Sequence, residues 1–205
     1  MTEALIQYGL PKATTNPSPS TGAPVVTEVI YDMWGRPVAT GYRDGQPTPR
    51  TWACRTYDPR GRATQVTIPG WAGTPARTIT TDYAPGGDPL TTTVTDTSTG
   101  ASNTITTNVD LLGRTTSYRQ SIPGTAGVLS TTTVYNVLGQ AVSATTTSSA
   151  GGPASTLGWS YLPDGRTNAT TLDGSTVSAL TYDATTKDVA SVSYGTSSLA
   201  SVQFV

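Results

Sequence analysis

The sequence predicts an all-β protein of tandem β-hairpins. Three observations carry that expectation: a hexapeptide that recurs at constant spacing, a glycine at one place in every copy, and a composition that disfavours helices. The hexapeptide reads YDMWGR from Tyr31, YDPRGR from Tyr57, YAPGGD from Tyr83, VDLLGR from Val109, YNVLGQ from Tyr135 and YLPDGR from Tyr161, each copy 26 residues after the last. A period of that size marks stacked supersecondary units. Threonine is abundant, and the 205 residues include 21 Gly and 15 Pro. Threonine is β-branched and prefers extended backbone, while glycine and proline punctuate turns.

Each copy is the tip of a hairpin. Gly35, Gly61, Gly87, Gly113, Gly139 and Gly165 all fall four residues after the start of their unit. In YDPRGR, Asp58, Pro59, Arg60 and Gly61 suit the four positions of a type I turn, with Pro85 and Pro163 at the same second place. A type I turn followed by a left-handed glycine is the three-residue hairpin loop that ends in a bulge. The residues flanking that loop then face one another: Asp32 with Arg36, Asp58 with Arg62, Asp110 with Arg114. Such pairs contribute roughly 0.2 to 1 kcal/mol each across two strands. Where Asp88 takes the second place, the first is Ala84, and where Gln140 takes it, the first is Asn136. The two positions change together, as partners in a structural contact do. Tyr31, Tyr57, Tyr83, Tyr135 and Tyr161 start five of the six units; a ring there covers the bulge and lets the Arg166 type of stem lie across it.

The segments leading to each tip alternate as half-covered strands do. TWACRTY puts Ala53, Arg55 and Tyr57 on one face, and Ile79, Ile105 and Leu157 share the face of Tyr83, Val109 and Tyr161. In register, Ala53, Ile79, Ile105 and Leu157 form one apolar ladder; the opposite face is mostly Thr and Ser. Between tips lie Gly- and Pro-rich return loops, the longest holding Trp71, which serves either as a lid on the sheet edge or as an exposed ligand contact. After Tyr161 the period shortens: LDGST makes a tight Asp-Gly turn, and at Tyr182 the pair Thr186 and Lys187 replaces Gly-Arg. The organisation is therefore 1–24, a degenerate repeat around Tyr8 with a Pro-rich loop; 25–181, the array; and 182–205, a degenerate terminal repeat.

Charge and chemistry narrow the function. Charged residues make up 12% of the chain and the net charge is −1, with no basic stripe for nucleic acid. There is no histidine and Cys54 is alone, so neither a disulfide nor a cysteine cluster is available, and the acids are assigned to turns. Asp82, Asp88, Asp96 and Asp110 lack the glycine-punctuated spacing of a calcium loop. Neither a catalytic site, a cofactor nor a metal is expected. No run of 18 apolar residues predicts a membrane span, and the N-terminus lacks the pattern of a signal peptide.

Tandem Y-D-x-x-G-R hairpins resemble the tyrosine-aspartate (YD) repeats of the rearrangement hot spot (Rhs) proteins, with similar repeats in insecticidal toxin-complex C components and animal teneurins. The likeness covers Tyr31 to Lys187. It implies a curved or spiralling antiparallel sheet that forms part of a hollow shell, which in bacterial members encloses a toxin polypeptide and in animal members serves cell-surface adhesion. It also implies secretion or a cell-surface location. The sequence departs from the family in being too short to close a large shell, and in showing neither the family's core with its self-cleaving aspartates nor a toxin segment. The expected role is a noncatalytic wall module whose partners are neighbouring repeats, a capping domain or an enclosed toxin. The alternative is an adhesive or carbohydrate-binding module that uses Trp34, Trp71 and Trp159 on a glycan. A thin core and open edge strands also predict self-association.

Overall fold

The computed structural model describes residues 10, 12–15, 24–44, 51–70, 73–121, 124, 127–195 and 200–203. Trp71, the segment around Tyr8 and most of the Pro-rich loop lie outside the described residues. Two compact units divide the chain: one runs to Gly87 and includes Thr92–Thr104, and the other comprises Asp88–Thr91 and the chain from Ile105 onward.

The first unit holds β1 (Ala13–Thr15), β2 (Val25–Tyr31), β3 (Pro37–Asp44), β4 (Thr51–Tyr57), β5 (Ala63–Ile68), β6 (Arg77–Asp82), nearly all of β7 (Thr91–Ser98) and the start of β8 (Ala101–Val109). The second holds the rest of β8, then β9 (Thr115–Ser121), β10 (Val128–Tyr135), β11 (Ala141–Ser148), β12 (Ser155–Tyr161), β13 (Thr167–Leu172), β14 (Ser175–Tyr182), β15 (Val189–Tyr194) and β16 (Ala200–Gln203). A short 3-10 turn, Pro85–Gly87, is the sole helical element among the described residues. The fold is all-β, and within each unit the strands are antiparallel and bonded in chain order.

Pairing starts at the hexapeptide tyrosine: Tyr31 lies opposite Pro37, Tyr57 opposite Ala63, Tyr135 opposite Ala141 and Tyr161 opposite Thr167. The next pairs are Ile30 with Ala39, Thr56 with Gln65, Val134 with Ser143 and Ser160 with Ala169. Val38, Thr64, Val142 and Asn168 are thus extra residues on the descending strand. A bulge of this kind bends the strand and raises its twist.

The repeats do not stack rung on rung. Ile79 faces Val66, which faces Arg55, whereas the residue one period before Ile79 is Ala53. Leu157 leads through Ala144 to Thr133, again two residues past its equivalent, Thr131. Even where the period shortens, Ser178 leads through Thr170 to Trp159, two residues past Leu157. At each of these steps within a unit the hairpin is therefore displaced by two residues, about 7 Å, along its neighbour. This corrects the expected apolar ladder. The rung of Ile79 reads Arg55, Val66, Ile79, Asp96, and Ala53 instead faces Thr40.

Little is buried in consequence. Among the described residues only Ala39, Gly41 and Thr91 are buried, and no large side chain is wholly enclosed. Strands touch mainly their neighbours in order. On the face turned away from the tip tyrosines, hydroxyl pairs join strands where apolar pairs usually would: Thr56 with Thr64 at 3.1 Å, Thr145 with Thr156 at 3.0 Å, Thr181 with Ser191 at 2.7 Å.

Candidate functional site

The residues singled out by the sequence converge at the hairpin tips. In the YDPRGR tip, Gly61 N–H donates to Asp58 O at 2.9 Å and Asp58 N–H donates to Arg62 O at 2.9 Å, the two bonds of a three-residue loop. Closing it requires a left-handed residue, and Gly61 has φ +81°. The same pair of bonds closes the tips of Gly35, Gly113, Gly139 and Gly165.

The acid at each tip first satisfies the turn and then orients an arginine. Asp110 Oδ1 accepts from the backbone N–H groups of Leu112 at 2.9 Å and Arg114 at 3.0 Å, while Oδ2 accepts from Arg114 Nε at 2.7 Å. Asp32 with Arg36 and Asp58 with Arg62 repeat the arrangement. Asn136 reproduces it without charge: its Oδ1 accepts from Leu138 and Gln140 N–H, and its Nδ2 donates to Gln140 Oε1 at 2.9 Å.

The arginine reaches forward to the next tip. Its guanidinium lies over the following tyrosine ring, Arg36 over Tyr57 at 4.5 Å, Arg62 over Tyr83 at 4.1 Å, Arg114 over Tyr135 at 4.6 Å and Arg166 over Tyr182 at 4.1 Å. Gln140 spans the same gap by donating from Nε2 to Gly165 O at 2.7 Å, as Arg166 does to Lys187 O. The tyrosine completes the circuit backward. Tyr57 Oη donates to Pro37 O at 2.7 Å, Tyr83 to Ala63 O, Tyr135 to Thr115 O, Tyr161 to Ala141 O and Tyr182 to Thr167 O. Nothing in the sequence signals this bond, because its acceptor is a backbone carbonyl.

Three tips depart from the pattern. In YLPDGR the first flanking residue is Leu162, and Asp164, inside the loop, pairs with Arg166 instead; the shifted acid is legible in the hexapeptide. At the last tip the left-handed residue is Lys187, φ +67°, not Thr186, because that loop is one residue longer and closes from Asp183 to Asp188. In the Tyr83 copy, strand pairing ends at Asp82 with Thr93, and both Gly86 and Gly87 are left-handed. Asp88 does not pair back to Ala84 through its side chain; it accepts from Leu90 N–H and from Thr91 Oγ1, which in turn accepts from Asn108 Nδ2.

These commitments set the acids' titration. The Arg114 side chain, followed by its backbone N–H, holds the Asp110 carboxyl below the ordinary carboxylate range. At Asp32 and Asp58 desolvation is the largest influence and acts upward, but the donors of Arg36 and Arg62 together with the loop N–H groups outweigh it, so both are lowered. Asp96 is likewise lowered by its ion pair with Arg77. Asp82 accepts from Ala84 N–H. Among the described residues no group of three or more His, Cys, Asp or Glu is placed to hold a metal ion.

An open cleft of about 480 Å³ in the first unit lies between two tips, lined by Trp34, Arg36, Tyr57, Asp58, Pro59 and Arg60, with Gly61 at its edge. The Arg36 guanidinium lies over both the Tyr57 ring and the Trp34 ring there, at 4.8 Å from the latter. Trp34 is exposed, whereas Trp159 is half-buried in β12.

No protein-family model matches the chain, and no curated protein matches it. Among solved structures the chain is similar to the crystal structure of TcdB2-TccC3-Cdc42, at 11% identity and a TM-score of 0.49 over 83% of this chain and 10% of that one. It is also similar to the Photorhabdus luminescens Tc holotoxin pore with a mutated TccC3, at 13% identity and a TM-score of 0.42 over 83% of this chain and 11% of that one. The chain spans about a tenth of the length of each.

Two outcomes test the tip chemistry. Gly61→Val forces a β-branched residue to φ +81° and should destabilise by more than about 1 kcal/mol in urea unfolding, while Arg60→Ala, at the exposed loop end, should change stability by less than about 0.5 kcal/mol. Equal effects contradict the turn assignment. The lowered carboxyls fix the sign of the pH response: their contribution is complete above the unfolded-state value near 3.9 and is lost as pH falls through the lower folded-state values. The urea midpoint should be flat from neutral pH to about 5 and fall below about 4, with a smaller fall in Asp110→Asn. A midpoint unchanged by acid removes the ion pairs from the account.

Proposed function

We propose that this chain is a noncatalytic wall segment of an Rhs-type shell, in which tandem hairpins continue into neighbouring repeats. The observation that carries the reading is the commitment of the tip residues. From Tyr57 to Tyr182, every tyrosine that starts a unit donates to the preceding hairpin, and four arginines cover the tyrosine that follows. Groups that would be nucleophile, acid or base in an enzyme are used here to fasten one hairpin to the next.

The constant stagger supports a coiling strip. Two residues of offset across two strands slant the strands by about 35° from the perpendicular to the direction of stacking, the slant at which sheets close into barrels. Within a unit, a strip that keeps this slant winds instead of lying flat. The weak burial also fits a wall that is finished by contact with further repeats, a capping domain or an enclosed polypeptide. Secretion or display at a cell surface accords with that role.

Small-angle scattering of the 205-residue chain tests the layer directly. A sheet one layer thick should show intensity falling with the inverse square of the scattering angle and a thickness of about 10 Å. A globular profile with a radius of gyration near 17 Å contradicts the reading.

A further inference from the structure

The second and third positions of the tips hold residues that the turn does not require. Pro59-Arg60 and Pro163-Asp164 occupy them in two tips, yet two adjacent tips of the second unit carry Leu111-Leu112 and Val137-Leu138. These four side chains are 89%, 77%, 102% and 71% exposed. Isolated exposed leucines need no explanation, but a contiguous group does. The two tips are neighbours: Arg114 leaves the first and lies over Tyr135 at the base of the second, and its Nη1 comes within 3.1 Å of where a Cβ on Gly139 would stand. Two strand spacings combined with a two-residue offset put the two apolar pairs roughly 12 Å apart.

Their surroundings indicate what covers them. The flanking groups carry no net charge, since Asp110 and Arg114 form a closed ion pair and the equivalent pair in the second tip is Asn136 with Gln140. Four of the six loop N–H groups are already satisfied from within: Leu112 N–H by Asp110 Oδ1, Gly113 N–H by Asp110 O, Leu138 N–H by Asn136 Oδ1 and Gly139 N–H by Asn136 O. A loop with this arrangement can enter a medium poor in water without stranding those N–H groups. The protruding shape matters as well, because a protein partner would need two matched pockets at the tip spacing, whereas the headgroup region of a bilayer deforms around any projection. On the far side the group ends at Asp164, whose side chain is 51% exposed.

We propose that these two tips form a lipid-contact edge, with Leu111, Leu112, Val137 and Leu138 seated at the boundary of headgroup and acyl chain in an uncharged bilayer surface. The contact is peripheral, not a span. Because the flanks are neutral, it is apolar in origin and insensitive to salt.

The test is cosedimentation of the full chain with vesicles of pure palmitoyl-oleoyl phosphatidylcholine. The chain should sediment with the vesicles and remain bound in about 1 M NaCl. The double variant Leu112→Glu, Leu138→Glu should lower partitioning at least about tenfold. Leu138→Trp should show a blue-shifted emission on vesicles that brominated lipid quenches, a second reading that holds even if the double variant misfolds. The proposal is overturned if the chain ignores these vesicles, if the double variant binds equally, or if binding appears only with anionic lipid and vanishes in salt. It is equally overturned if vesicles capture nothing while the double variant abolishes chain-to-chain association in light scattering, which would make a second copy the occupant.

Discussion

The structure depends on one circuit of contacts, in which an acid closes its own turn, holds an arginine, and so places that arginine on the tyrosine of the next hairpin. Each member is modest alone: an exposed ion pair is worth about 0 to 1 kcal/mol and a cation over a ring about 0.5 to 1 kcal/mol. They matter because little else is available. With only Ala39, Gly41 and Thr91 buried among the described residues, apolar burial cannot be what aligns one repeat with the next. Alignment falls to directional contacts at the tips, which join Tyr57, Tyr83, Tyr135, Tyr161 and Tyr182 to the hairpin before each.

Geometry follows from the same constraint. The tyrosine hydroxyl reaches a carbonyl two residues beyond the preceding left-handed position, as Tyr57 reaches Pro37 past Gly35 and Tyr161 reaches Ala141 past Gly139. That reach is equal to the two-residue offset between hairpins. Even the last repeat, with a period of 21 and a longer loop, keeps both the offset and the bond from Tyr182 to Thr167. The offset is thus tied to the tip contact and not to the length of the return loop. A charged partner is not indispensable: Asn136 and Gln140 make the same turn and the same forward reach with amides.

Much of this was legible in the residues, and the limits have physical causes. The turn type, the left-handed glycine and the facing of Asp58 with Arg62 follow from local backbone rules, and local rules can be read from six residues. The expected ladder of Ala53, Ile79, Ile105 and Leu157 failed because the strand after a tip carries an unpaired residue such as Thr64 and the hairpins are offset by two residues, neither of which a side-chain pattern announces. Reading Thr186 as the glycine equivalent failed for a related reason. One added loop residue moved the left-handed position to Lys187. The role of Asp164 was visible, since it is the acid nearest Arg166 in a tip that lacks one at the first place.

The circuit is tested most directly by a double-mutant cycle on Arg114→Gln and Tyr135→Leu, measured by urea unfolding of the 205-residue chain at neutral pH. If the arginine of one hairpin stabilises the next through the ring it covers, the two losses should be non-additive by at least about 0.5 kcal/mol. Additivity within about 0.3 kcal/mol would show that the hairpins are aligned by something other than this contact.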